Sequence, residues 1–185
     1  MINEVLEETR DRMGKSEKAF ETELGKVRTG RASQSMLDNV RVDYYGTQTP
    51  LPQMATVSVP ESRLLTVKPW DASVINEVEK AILKANLGLT PSNDGKLIRI
   101  SIPPLTEERR KEIVKSVAKT CEDFKVAVRN IRRDSNEMLK DLQKEGDISE
   151  DESFKAQKQV QEFTDASIKK LDDIFAAKEK EILEV

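Results

Sequence analysis

Between Val114 and Leu142, apolar positions return at alternating steps of three and four: Val114, Val117, Cys121, Phe124, Val128, Ile131, Ser135, Met138 and Leu142. That spacing predicts a long helix buried along one narrow seam against other helices. The helix begins after Pro103-Pro104, with Thr106 as N-cap and Glu107 and Glu108 in the first turn, and it stops at Gly146. At 1.5 Å per residue its roughly forty residues span about 60 Å. Two further segments repeat the pattern. One runs from about Asn3 to Val27, with Ile2, Leu6, Thr9, Met13, Ser16, Phe20, Leu24 and Val27 on its stripe. The other opens with Ser149-Glu150-Asp151-Glu152, the S-x-x-E capping box. Its apolar positions are Phe154, Val160, Phe163, Ile168, Leu171, Ile174, Phe175 and Ile182. None of the three is apolar all round, so each needs the other two. An elongated antiparallel three-helix bundle follows.

Between the first two helices the period falls to two. Val40, Val42 and Tyr44 alternate with Arg41 and Asp43; Ala55, Val57 and Val59 with Thr56 and Ser58. Leu65 and Val67 alternate with Thr66 and Lys68, and Ile98, Ile100 and Ile102 with Arg99 and Ser101. These are half-buried strands. One short helix interrupts them, from Asp71 or Ser73 to Asn86, with Ile75, Val78, Ile82 and Ala85 on its apolar face. Asn93-Asp94-Gly95 is turn chemistry before the last strand. The expected architecture is α+β: a bundle from residues 1–29 and 106–185, with a small β/α/β domain of residues 30–105 inserted. The chain then crosses between domains twice, at Thr29-Gly30-Arg31 and at Pro103-Pro104-Leu105. Two adjacent crossings permit bending but resist detachment, so Thr29, Gly30, Pro103, Pro104 and Leu105 are candidate hinge residues.

Composition narrows the chemistry. The 185 residues contain no histidine, which removes the commonest general base and the commonest metal ligand together. The single cysteine, Cys121, lies on the buried seam and cannot form an internal disulfide. Gly25-Lys26-Val27-Arg28-Thr29-Gly30-Arg31 has the outline of a phosphate loop, but Arg31-Ala32 stand where Lys and Ser/Thr are required. The acidic run Asp147–Glu152 lacks the alternating ligand spacing of a calcium loop. No catalytic group, metal or cofactor is therefore expected. Neither a basic N-terminal region followed by an apolar one nor a membrane-length apolar run is present, which predicts a cytoplasmic protein without a membrane anchor. Tyr44 falls on the apolar face of its strand, whereas Tyr45 and Trp70 are left open between core packing and base stacking.

Charge supplies the candidate site. The net charge is −3, yet residues 107–136 carry nine Lys/Arg against six Asp/Glu, and 137–185 carry eight against fourteen. At 100° per residue, Lys125, Arg129, Arg132, Arg133, Asn136 and Lys140 fall on one flank of the seam. Arg28 and Arg31 stand where the first helix ends. A solvated face with intrahelical pairs, Lys125 with Glu122 for instance, is the simpler reading. The choice of arginine favours another, because its planar fork suits bidentate phosphate recognition. Groove-reading motifs are absent, so such contacts would be to backbone and shape.

Four stretches carry a resemblance. Val27-Arg28-Thr29-Gly30-Arg31-Ala32-Ser33, Tyr44-Tyr45-Gly46 with Thr49-Pro50-Leu51, Pro103–Arg110, and Val128-Arg129-Asn130-Ile131-Arg132-Arg133-Asp134 resemble the bacterial ribosome recycling factors, in order and over the full length. One departure is Gln34, where the family commonly has proline. The resemblance implies an L-shaped, non-enzymatic protein that acts after termination, and three helices that bury one another's seams make a monomer the expected state. Together with elongation factor G and GTP, such proteins split the ribosomal subunits, the bundle binding large-subunit ribosomal RNA. Arg28, Arg31, Arg129 and Arg132 match the family's RNA-contacting positions, and we add Arg110 and Arg133 to that set. The mechanism it implies is mechanical: the arginine face anchors the bundle while the second domain swings about the hinge. The competing reading is a coiled-coil adaptor or chaperone holding protein partners along the bundle. Salt separates the two, because RNA-backbone binding weakens steeply as ions are added.

Overall fold

The computed structural model describes residues 1–184 as two compact units, each treated separately below. The first comprises Met1–Val27 and Glu107–Glu184 and contains three helices: α1 (Ile2–Gly25), α3 (Glu107–Lys144) and α4 (Glu150–Leu183). The second, Arg28–Thr106, is the α/β unit. It takes in Thr106 at the second crossing and, at the first, Arg28 and Thr29, all of which the sequence pattern assigns to the bundle. The reason is local: Thr29 and Gly30 are buried, and the Arg28 Nη1 donates to Leu87 O at 2.9 Å.

In the bundle, local signals set the helix ends. Gly146 takes φ +83°, and Asp147 N and Gly146 N donate to Leu142 O and Gln143 O at 2.9 and 3.1 Å. That is a Schellman termination, which only a residue at ease with positive φ permits. The Ser149 capping box is closed in both directions: Glu152 N reaches Ser149 Oγ at 3.2 Å, and Ser149 N reaches the Glu152 carboxylate at 2.8 Å. The same bonds hold the Glu152 carboxyl below its ordinary pKa.

The seam departs from the sequence pattern in two places. On α3 it runs Val117, Cys121, Val128, Ile131, Ser135 and then Leu139, which is buried, while Met138 is exposed. A straight α-helix drifts about 20° per heptad against a strict seven-residue repeat, so a seam of this length slips by one residue. On α4, Phe154 is 70% exposed, and Ser153 and Ala156 occupy the interior in its place. Polar residues also divide the core. Met13, Phe20, Val128, Ile131, Leu171 and Ile182 belong to one cluster, and Leu139, Ile148, Ala156 and Val160 to another. Between them in sequence lie the buried hydroxyls of Thr9 and Ser135, 2.6 Å apart.

The second unit contains a four-stranded antiparallel sheet, ordered β3 (Ala55–Glu61), β4 (Leu64–Pro69), β6 (Ile98–Ser101) and β5 (Pro91–Asn93). A separate hairpin pairs β1 (Arg41–Tyr44) with β2 (Thr47–Pro50). Its two-residue turn uses Tyr45 and Gly46, both at positive φ (49° and 83°), as a type I′ turn demands. The short helix α2 (Ile75–Lys84) follows a 3-10 turn whose N-cap Asp71 accepts from Ser73 N at 3.0 Å. Ile75, Val78 and Ile82 pack with Val42, Leu65, Val67, Ile98 and Ile100 in one core. Val59 is exposed, because the β3–β4 register shifts between Ser58 and Glu61 and ends the inward alternation. The pattern of apolar residues gives no sign of β2 or β5, whose sequences are Thr-Gln-Thr-Pro and Pro-Ser-Asn. No helix among the described residues is long and apolar enough to cross a membrane.

Candidate nucleic-acid interface

Three of the six candidate arginines come together on α3. Arg129, Arg132 and Arg133 fall within an arc of about 100° over a single helical turn, because 3.6 residues close each turn. Their settings differ. Arg129 is half-buried and ion-paired with Glu122, two turns back on the same helix, at 2.6 Å. Arg132 reaches across to α4, where its Nη1 donates to Gln161 Oε1 at 3.3 Å. Gln161 Nε2 in turn donates to Asp165 Oδ1 at 2.8 Å. Arg133 is exposed and has no hydrogen-bond or ion-pair partner among the described residues. Its neighbour Asp134 is bound by Arg12 of α1 at 2.8 Å, which offsets a carboxylate that would repel an incoming anion.

Beyond these arginines a shallow groove of about 390 Å³ continues along α3, lined by Arg132, Arg133, Asn136, Glu137, Lys140, Asp141 and Lys144. Lys144 pairs with Asp141 at 3.4 Å, so the far end of the groove is partly neutralised. Lys125, at the other end of the flank, pairs with Asp172 of α4 and not with Glu122. The hydrogen bond to Asp172 raises the Lys125 pKa. Arg129 takes Glu122 instead.

Arg110 is half-buried near the start of α3 with its Nε enclosed and unbonded, about 33 Å along the helix from Arg132 at 1.5 Å per residue. Arg28 and Arg31 belong to the α/β unit. Arg28 is engaged with Leu87 O, in a turn flanked by Asn86 and Gly88 at φ 50° and 69°. Arg31 is exposed.

Among the candidate hinge residues, Thr29 and Gly30 are buried, Leu105 is half-buried, and Pro103 and Pro104 are exposed. Both crossings are fastened to the β3–β4 turn. Ala32 N donates to Ser62 O at 2.7 Å, and Ile102 N donates to Arg63 O at 2.9 Å. Of the aromatics left open, Tyr45 and Trp70 are 75% and 67% exposed, held by hydrogen bonds to Asp71 (3.3 Å) and Thr56 (3.0 Å). Tyr44 is half-buried against the core. Burial pushes the Cys121 thiol pKa up, opposite to what a reactive thiolate needs.

Sequence reasoning did not find Gln161, Asp165 or Arg12 as partners of this face, and it paired Glu122 with Lys125 where the structure pairs it with Arg129. The i,i+4 spacing of Gln161 and Asp165 on one helix is the only local signal, and it says nothing of Arg132.

A family model described as ribosome recycling factor matches residues 20–183. The chain belongs to that family. A ribosome-recycling factor of Desulforapulum autotrophicum is 70% identical over 185 residues, all of both chains. One from Syntrophobacter fumaroxidans is 58% identical, again over the full length of both. Among solved structures, the solution structure of a ribosome recycling factor is similar with a TM-score of 0.78 at 38% identity, covering 100% of this chain and 98% of that one. Models of the T. thermophilus ribosome recycling factor and the E. coli elongation factor G bound to the E. coli post-termination complex include a chain similar at 46% identity. That match has a TM-score of 0.65 and covers 99% of each chain. Ribosome recycling factors are non-enzymatic translation factors.

Proposed function

We propose that this family member binds the post-termination ribosome through large-subunit ribosomal RNA and, with elongation factor G and GTP, splits the subunits. Arg129, Arg132 and Arg133 are the anchor on α3, with Arg28, Arg31 and Arg110 as further contacts. The observation that carries the reading is the single-turn arginine cluster, whose outermost member, Arg133, is exposed and unpartnered. Guanidinium groups so placed can grip phosphates bidentately while the adjoining seam keeps the helix rigid. The partner supplies the nucleotide chemistry, and this chain transmits force as a monomer. Its double crossing at residues 29–30 and 103–105 is the pivot.

Light scattering of post-termination ribosomes, mixed with elongation factor G, GTP and this protein, tests the proposal. Splitting is expected to require all three and to fall with Arg132→Ala. Splitting that proceeds undiminished with the variant refutes the anchor.

A further inference from the structure

Arg129 and Arg132 are held in chemically different ways. Arg129 meets a carboxylate at 2.6 Å, so an incoming phosphate competes with Glu122 for it. Arg132 meets a neutral amide, which orients the guanidinium without cancelling its charge. The amide is itself oriented. Its oxygen accepts from Arg132 and its nitrogen donates to Asp165, and only that orientation satisfies both partners. Arginine otherwise carries much rotamer freedom, which binding must remove.

We infer that Gln161 is a positioning residue for Arg132: set by Asp165 on its own helix, it holds the guanidinium from α4 in the orientation that receives a phosphate. The inference rests on the reading of α3 as an RNA anchor and assigns α4 a part in it. Gln161 touches no ligand in this scheme. It lowers the ordering cost of Arg132, and a negative side chain in its place would do the opposite by cancelling the charge it presents.

The test is equilibrium binding to isolated large ribosomal subunits across a salt series, for wild type, Gln161→Ala, Arg132→Ala and the double variant, with Gln161→Glu as a second probe. Gln161 is exposed, so these chains fold, and circular dichroism verifies it. Gln161→Ala is expected to weaken binding about three- to tenfold, the range for freeing one rotamer-rich side chain. The slope of log affinity against log salt should stay unchanged, because no phosphate contact is lost. Gln161→Glu should weaken binding further and make the slope shallower. In the Arg132→Ala background, Gln161→Ala should have no further effect.

Three results overturn the inference. If Arg132→Ala weakens binding and Gln161→Ala does not, the tether is idle. If Gln161→Ala weakens binding equally with or without Arg132, Gln161 touches RNA itself. If Arg132→Ala binds as wild type, the anchor reading fails and takes the inference with it.

Discussion

The hydroxyls of Thr9 and Ser135 form a polar interruption in the bundle whose cost can be worked out. Thr9 Oγ1 lies 2.6 Å from both Val5 O and Ser135 Oγ, and Ser135 Oγ lies 2.9 Å from Ile131 O. Three contacts share two hydroxyl protons, so at most two are hydrogen bonds at any instant. Thr9→Val removes one of them from a buried site, a loss of about 1 kcal/mol. Ser135→Ala removes one as well but recovers about 0.5 kcal/mol of helix propensity, for a net loss of about 0.5 kcal/mol. Independent sites would give the double variant a loss of about 1.5 kcal/mol. Each single variant leaves the other hydroxyl bonded within its own helix, Ser135 to Ile131 O or Thr9 to Val5 O, so the hydrogen bonds fall from two to one to none and the losses add. The double variant is therefore expected to lose about 1.5 kcal/mol with a coupling near zero, whereas three simultaneous bonds would give a coupling of about 1 kcal/mol. Urea unfolding followed by far-ultraviolet circular dichroism reads it, because the three long helices dominate that signal. Emission of the single tryptophan, Trp70, reports the α/β unit and should show no change. A double variant that loses about 1 kcal/mol less than the sum of the two single losses would refute the shared-proton reading.

Other outcomes follow from single features. Leu139→Ala should cost about 2–5 kcal/mol and its neighbour Met138→Ala under about 0.5 kcal/mol, since only the first is in the core; comparable losses in denaturant unfolding would contradict the seam. The Asp94 carboxylate accepts from Lys96 N and Leu97 N and from Arg99, which lowers its pKa from 3.8 to about 2. Its folded value lies below the unfolded one, so the stability it contributes is complete above about pH 4 and is lost as pH falls through about 2. Asp94→Asn should flatten that acid limb for the α/β unit, read by Trp70 emission; parallel limbs for variant and wild type would contradict it.

Features written in adjacent residues were legible in the sequence. Gly146 and the Ser149–Glu152 box fix the turn between α3 and α4 because both act within six residues of chain. The period-two strands Val42, Leu65–Val67 and Ile98–Ile100 declare their buried face for the same reason. Reading failed where geometry accumulates or partners are distant. The slip from Met138 to Leu139 arises because 3.6 residues per turn does not divide seven, which no short window displays. Phe154 reads as core by type, yet the buried positions of its turn are the small Ser153 and Ala156. β2 and β5 are strands by pairing with β1 and β6 and not by composition. At the candidate interface the arginine cluster is a single-helix pattern and was legible. The cross-helix partners that decide how each arginine is presented, Gln161 for Arg132 and Asp172 for Lys125, depend on how α3 packs on α4.

Co-sedimentation with isolated large ribosomal subunits over a salt series, for wild type and Arg132→Ala, tests the central claim most directly. Saturable binding that falls steeply with salt is expected, weakened by the substitution by about 1–3 kcal/mol with the salt slope reduced by about one. Wild type that fails to sediment at low salt, or a variant that binds with the wild-type slope and affinity, would return the arginine cluster to an ordinary solvated surface.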